Sequence, residues 1–160
     1  MRTKGFANPS PFVWLRPGMD IQIHLRDGKR VDAEVDGHTI VTDQPVSNGG
    51  DGAAPDPFTL FLASIGTCAG FYVGAYCRAR GISTDGIRLL QRVDKDDAGR
   101  ITRIGIEVSL PADFPEAQRD GVLRAAASCK VKKMLAAPPP IEVVLSTPKN
   151  DHQLRIDPRL

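Results

Sequence analysis

Two of the cysteines in this chain stand where thiol chemistry is worth weighing: Cys68 within ASIGTCAGFYVGAYC and Cys129 within AAASCKVKKML. A thiolate beside a second thiol supports a short redox cycle, in which a peroxide oxidises one sulfur to a sulfenic acid and the other resolves it as a disulfide. Cys77 shares a stretch with Cys68 but reads as a small buried hydrophobe, the usual role of a free cysteine. No cysteine falls in a CxxC or other close metal-ligand spacing, and His24, His38 and His152 are scattered, so no metal site and no cofactor are expected. Lys132 and Lys133 follow Cys129 by three and four positions, which on a helix places them beside it and favours a thiolate. The same lysines suit a solvated helix end that complements the helix dipole equally well.

Positioning these thiols falls to two helices. An uncharged run from Pro57 to Cys77 ends at Arg78, Arg80 and Gly81, as a helix C-terminus should. At 100° per residue, Thr59, Ala63, Gly66, Gly70, Gly74 and Cys77 form a stripe of small residues on which another backbone can pack closely. Phe58, Phe61, Ile65, Tyr72 and Tyr76 form the opposite, bulky side, with Cys68 at its edge. Asp113 and Pro115 open a second helix that runs through EAQRDGVLRAAASCKVKKML to APPP, with Val122, Ala125, Ala126 and Cys129 on one face. If the two helices cross through these faces, the thiols meet.

Strands surround the helices in sequence. Ile21, Ile23 and Leu25 alternate with polar residues up to Asp27-Gly28, Val31, Ala33 and Val35 up to Asp36-Gly37, and HTIVTD follows, a meander of three strands. RLLQRVD and ITRIGIEVSL flank a DDAGR turn as a hairpin, with Ile104, Ile106, Val108 and Leu110 on one face, and IEVVLS reads as a final strand. Three strands, helix, hairpin, helix and strand make an α+β fold. One domain is expected over 21–146, between an irregular arm at 1–20 carrying Trp14 and a polar tail at 147–160.

At 160 residues with 41% apolar side chains the chain can bury one sizeable core. A balance of 21 Lys and Arg against 19 Asp and Glu, net +2, gives no reason to expect a nucleic-acid groove or a membrane-attracted surface. The run from Pro57 to Cys77 meets the length criterion for a bilayer span, but its threonines, tyrosines and glycines, and the amphipathic strands around it, favour a buried helix. The N-terminal stretch lacks the apolar core of a secretory signal, so a reducing cytoplasm with free thiols is expected.

DGHTIVTDQP, GGDGAAPDPFTLFLASIGTCAG, the helix-ending RARGI and SCKV together resemble the OsmC/Ohr family of thiol-dependent peroxidases and their relatives, over roughly residues 30 to 146. The resemblance implies an intertwined homodimer with antiparallel sheets wrapped around two long central helices. It implies Cys68 as the peroxide-attacking cysteine, Cys129 as the resolving one, a small organic hydroperoxide as substrate, and a thiol reductant as partner. Phe58, Phe61 and Tyr72 are then expected to line an apolar substrate pocket. Peroxidase members carry a glutamate directly after the proline that opens the first helix, orienting an arginine from the N-terminal region. Here that position is Phe58, and Arg16, Arg26 and Arg30 are the candidates for the arginine. The alternative is a non-catalytic dimer that binds apolar small molecules or senses redox state on the same scaffold.

Overall fold

The computed structural model describes residues 18–145. Trp14 and most of the expected arm, Arg16, His152 and the tail at 147–160 lie outside the described residues. The described chain clusters into two units that divide at Leu60 and Phe61.

Unit one holds β1 (Gln22–Leu25), β2 (Val31–Val35) and β3 (His38–Thr42), an antiparallel meander in the order β1-β2-β3. Both turns form where the sequence places them. Asp36 at φ 48° and Gly37 at φ 76° make the left-handed pair that matches strand twist in a two-residue hairpin. The register sets Ile23 opposite Ala33 and Ala33 opposite Ile40, so the apolar alternation shares one face. In the single chain that face is uncovered, with Ile23 and Leu25 exposed. Asp32 is buried and accepts a hydrogen bond from Arg26 Nε at 2.8 Å.

Beyond β3, one side chain organises the loop. Asp43, 1% exposed, accepts backbone N–H groups of Gln44 at 2.7 Å, Asp51 at 3.1 Å and Ala53 at 3.0 Å. Gly50 is obligatory inside this knot, because a Cβ there would collide with the Gln44 carbonyl and crowd Asp43 Oδ1. The loop then delivers Asp56, which accepts the N–H groups of Phe58 (3.0 Å) and Thr59 (3.1 Å) and the Thr59 hydroxyl, capping α1 (Pro57–Arg78) with proline at its first position.

Unit two begins at Phe61. On α1, Ile65, Ala69, Val73 and Cys77 recur every fourth residue and are its buried stripe. Length and composition alone would let α1 cross a bilayer. In this fold Ala69, Val73 and Cys77 of that stripe join Phe114, Val122, Ala126 and Cys129 in the core, where burial of each valine contributes about 1.5–3 kcal/mol. Gly81 at φ 66° ends the helix, with Ile82 N–H on the Cys77 carbonyl (3.0 Å) and Gly81 N–H on that of Arg78 (3.2 Å), the paired bonds of a Schellman cap. β4 (Arg88–Lys95) and β5 (Ile101–Ser109) form the expected hairpin. Its turn is closed by Asp96, which accepts the N–H groups of Ala98 and Arg100 and the Arg100 guanidinium.

Three expectations need correction. The second helix is not continuous from Pro115: a short 3-10 turn at Glu116–Gln118 leads into α2 (Arg119–Ala127), and α3 (Lys130–Ala136) starts afresh. Ser128 breaks it, since its hydroxyl bonds back to the Arg124 carbonyl at 2.9 Å while its N–H closes α2, leaving Cys129 extended at φ −50°, ψ 126°. Among the described residues the glycine stripe meets side chains rather than another backbone. Gly66 and Gly70 face Gln91 and Leu89 of β4, Gly74 lies under Arg78, and the close helix contact is made from the other side, by Gly121 of α2 against the Tyr76 hydroxyl. Finally, residues 141–145 of the expected last strand carry only an isolated bridge at Val144, with Ile141 and Val143 exposed. A single bridge leaves the rest of the segment without a ladder among the described residues.

Candidate dithiol active site

Cys68 and Cys129 come together although they belong to separate elements. Cys68 sits on α1 one position before buried Ala69, at the margin of the core, while the break after α2 turns Cys129 fully inward as the residue preceding α3. The Cys129 sulfur lies 3.8 Å from the Ile65 carbonyl oxygen and in hydrogen-bonding contact with the Cys68 sulfur, so its single S–H proton has two competing acceptors. All three cysteines are free thiols.

The two sulfurs are inequivalent. Burial pushes the Cys68 thiol up, but the hydrogen bond from Cys129, the backbone N–H groups of Val131 and Lys130 and the Lys130 charge outweigh it, holding its pKa below the usual thiol value. Cys129 moves the opposite way: burial raises its pKa, the bond to Cys68 raises it further, and the N–H groups of Lys132 and Val131 offset only part. The shifts run in opposite directions, so of the two thiols Cys68 gives up its proton more readily and Cys129 keeps its own longer. Such an arrangement attacks electrophiles through Cys68, with a protonated thiol beside it to complete a disulfide.

Phe58 lies in the first helical turn, more than half exposed, and no acidic residue occupies that turn of α1. Phe61 and Tyr72 are half-buried farther along, and Tyr72 stacks edge-on with Phe71 at 5.5 Å. Unit two also has a groove of about 380 Å³ lined by Ile65, Ile104, Ile106, Val108, Leu123, Ala126 and Lys132. Ile65 and Ala126 connect it to the thiols, since Ile65 bonds Cys129 and Ala126 packs against it. Lys132 acts on Cys129 through its backbone N–H, and Lys130 supplies cationic charge felt by Cys68. Arg26 and Arg30 both lie near Asp32, at 2.8 and 3.9 Å. Among the described residues no group of His, Cys, Asp and Glu could hold a metal ion.

Sequence reasoning passed over Lys130, the Val131 N–H and the Asp56 cap. Asp56-Pro57 is a readable cap-and-first-turn pair. The other two depend on the break at Ser128, and a serine before a cysteine is a faint sign of one.

A profile of the OsmC-like protein family matches residues 49–144. Similar solved structures include a Psychrobacter arcticus protein assigned to osmotic stress induction and the detoxification response, at 21% identity and TM-score 0.64, covering 76% of this chain and 90% of that one. An OsmC-like protein of unknown function from Vibrio cholerae is 12% identical at TM-score 0.52, covering 74% and 93%. An organic hydroperoxide resistance protein from Legionella pneumophila is 16% identical at TM-score 0.48, covering 75% and 90%. No curated protein matches the chain.

Proposed function

The chain belongs to the OsmC-like protein family, and from that membership we propose that it reduces small organic hydroperoxides with Cys68 and Cys129. The observation that carries this reading is the contact between two thiols whose acidities are shifted in opposite directions.

In this cycle the Cys68 thiolate attacks the distal oxygen of ROOH. The O–O bond breaks, and the departing alkoxide takes a proton to leave as ROH, with Cys68 now a sulfenic acid. The Cys129 sulfur attacks the Cys68 sulfur, the S–O bond breaks, and water leaves as the disulfide forms. An external dithiol returns both sulfurs to the reduced state, itself becoming a disulfide. The groove at Ile65, Ile106 and Val108 suits the apolar R group. Catalysis in a reducing cytoplasm and assembly as a homodimer are parts of the same proposal. The second is supported by apolar residues left exposed on the meander and at 141–145, which a second copy would cover.

Stoichiometric cumene hydroperoxide followed by mass spectrometry tests it. The expected product is a Cys68–Cys129 disulfide, and turnover with dithiothreitol should vanish in Cys68→Ser. Absence of that disulfide, together with unchanged turnover in Cys68→Ser, rejects the reading. Phe58 in the first helical turn, where no acidic residue stands, favours a second one, a binding or redox-sensing dimer without turnover. There, apolar ligands raise the melting temperature of Cys68→Ser by mass action while peroxide is not consumed.

A further inference from the structure

The hairpin touches both thiol-bearing parts of unit two. Leu89, Ile106 and Val108 pack against the core that contains Cys129 and Ala126, contacts that are apolar and so resist sliding only weakly. Against α1 the hairpin places a directional group. Gln91 of β4 donates from Nε2 to the Leu62 carbonyl at 2.9 Å, an oxygen already used by the helix ladder. Its Oε1 is buried without a hydrogen-bond partner and rests on Gly66, where a Cβ would come within 2.8 Å of it. Only a residue without a side chain admits the carboxamide this close, so the glycine and the glutamine are fitted to each other. The neighbouring carbonyl, that of Ile65, is the one that holds the Cys129 thiol. Helix α1 is therefore held at one level by the hairpin on one flank and by Cys129 on another.

We propose that Gln91 is a positioning residue: seated on Gly66 and bonded to Leu62, it fixes the rotation and height of α1 and thereby aligns the Cys68 sulfur with Cys129. The proposal rests on the dithiol reading of the site, but not on peroxide as its oxidant.

The test uses the full chain with two readouts: the pH profile of Cys68 alkylation by iodoacetamide, and the rate of Cys68–Cys129 disulfide formation with diamide. Gln91→Met removes both polar atoms at similar volume, and Gly66→Ala keeps the carboxamide but drives it off the helix. Either should move the Cys68 midpoint up toward the ordinary thiol value of about 8.5. Either should also slow diamide oxidation by about tenfold, the scale of effect expected when reacting atoms are misplaced by a fraction of an ångström. Leu89→Val, which loosens the same hairpin at Gly70, should lower the melting temperature while leaving both readouts at wild-type values. Gln91→Met or Gly66→Ala protein that melts earlier yet keeps the wild-type midpoint and rate overturns the proposal, and whichever of the two folds is sufficient to decide. If wild-type protein ignores peroxide while diamide oxidation still depends on Gln91, the peroxidase reading falls and this one stands.

Discussion

Asp43 and Cys68 are both acidic groups drawn away from water and held by backbone N–H donors, yet they are built for different ends. Asp43 takes three such donors from its own loop, helped by the charge of Arg30, and its oxygens have nothing left to do. Cys68 takes its donors from another element, the start of α3, and shares its remaining interaction with a thiol whose own pKa is pushed up by burial and by Cys68 itself. A carboxylate satisfied on all sides is inert and serves the loop. A sulfur stabilised unevenly, beside a partner shifted the other way, keeps a lone pair and a reaction open. Backbone donors alone do not distinguish scaffold from site. The asymmetry of the partner does.

The largest expected effect breaks the asymmetric side outright. In Cys129→Ser, peroxide should still oxidise Cys68, but the sulfenic acid should persist and trap dimedone, with catalytic turnover lost entirely. A variant that turns over normally without Cys129 would remove the resolving role and reduce the site to one thiol.

Next comes the symmetric side. Asp43→Ala should lower the melting temperature by several degrees, more than Asp43→Asn, which retains one acceptor oxygen. Hydrogen bonds from Ala53, then from Gln44 and Asp51, depress the Asp43 pKa against the effect of burial. Its stabilisation is therefore complete above the ordinary carboxylate value of about 3.9 and is lost as the pH falls through the lowered one. Thermal melts from pH 6 to 2 should show a shallower acid limb in Asp43→Asn, and identical limbs would show that another carboxylate governs it.

Gly121→Ala probes the close contact of α2 with the Tyr76 hydroxyl, where a methyl group overlaps the phenol. Overpacking of about 1–3 kcal/mol is expected in chemical denaturation, with release of the Tyr76 bond to Gln118, now 2.6 Å long. Lys130→Ala should do least. Its exposed charge lowers the Cys68 pKa through space, so the alkylation midpoint should rise slightly, and the difference from wild type should shrink in high salt.

Much of this frame could be read from residue order. Asp36-Gly37 announces its turn because only a pair that tolerates positive φ closes a two-residue hairpin, and Pro57 to Cys77 announces a helix by its uncharged length and the glycine stop that follows. The union of Cys68 and Cys129 was legible as a condition, that two faces cross. What stayed hidden was set by tertiary competition. The Ser128 hydroxyl and N–H both bond the Arg124 carbonyl and α2 ends there, so the donors beside Cys68 belong to a helix start that no periodicity reveals. The partners of Gly66 and Gly70 were equally invisible, because a small-residue stripe states that something approaches closely and not whether it is a helix or a strand.

Cys77 stands apart from the proposed dithiol pair, and its placement makes it a natural clock. It is wholly buried, and its carbonyl anchors the Ile82 N–H that closes α1. A thiol reagent can reach it only when the helix end unravels and the core parts, so its labelling rate counts opening events. At low reagent, where reclosing outruns labelling, that rate reads the equilibrium between closed and open forms; at high reagent it reads the opening rate itself. Beside the thiol proposed for the chemistry, the same molecule thus carries a slow one that reports on its own integrity.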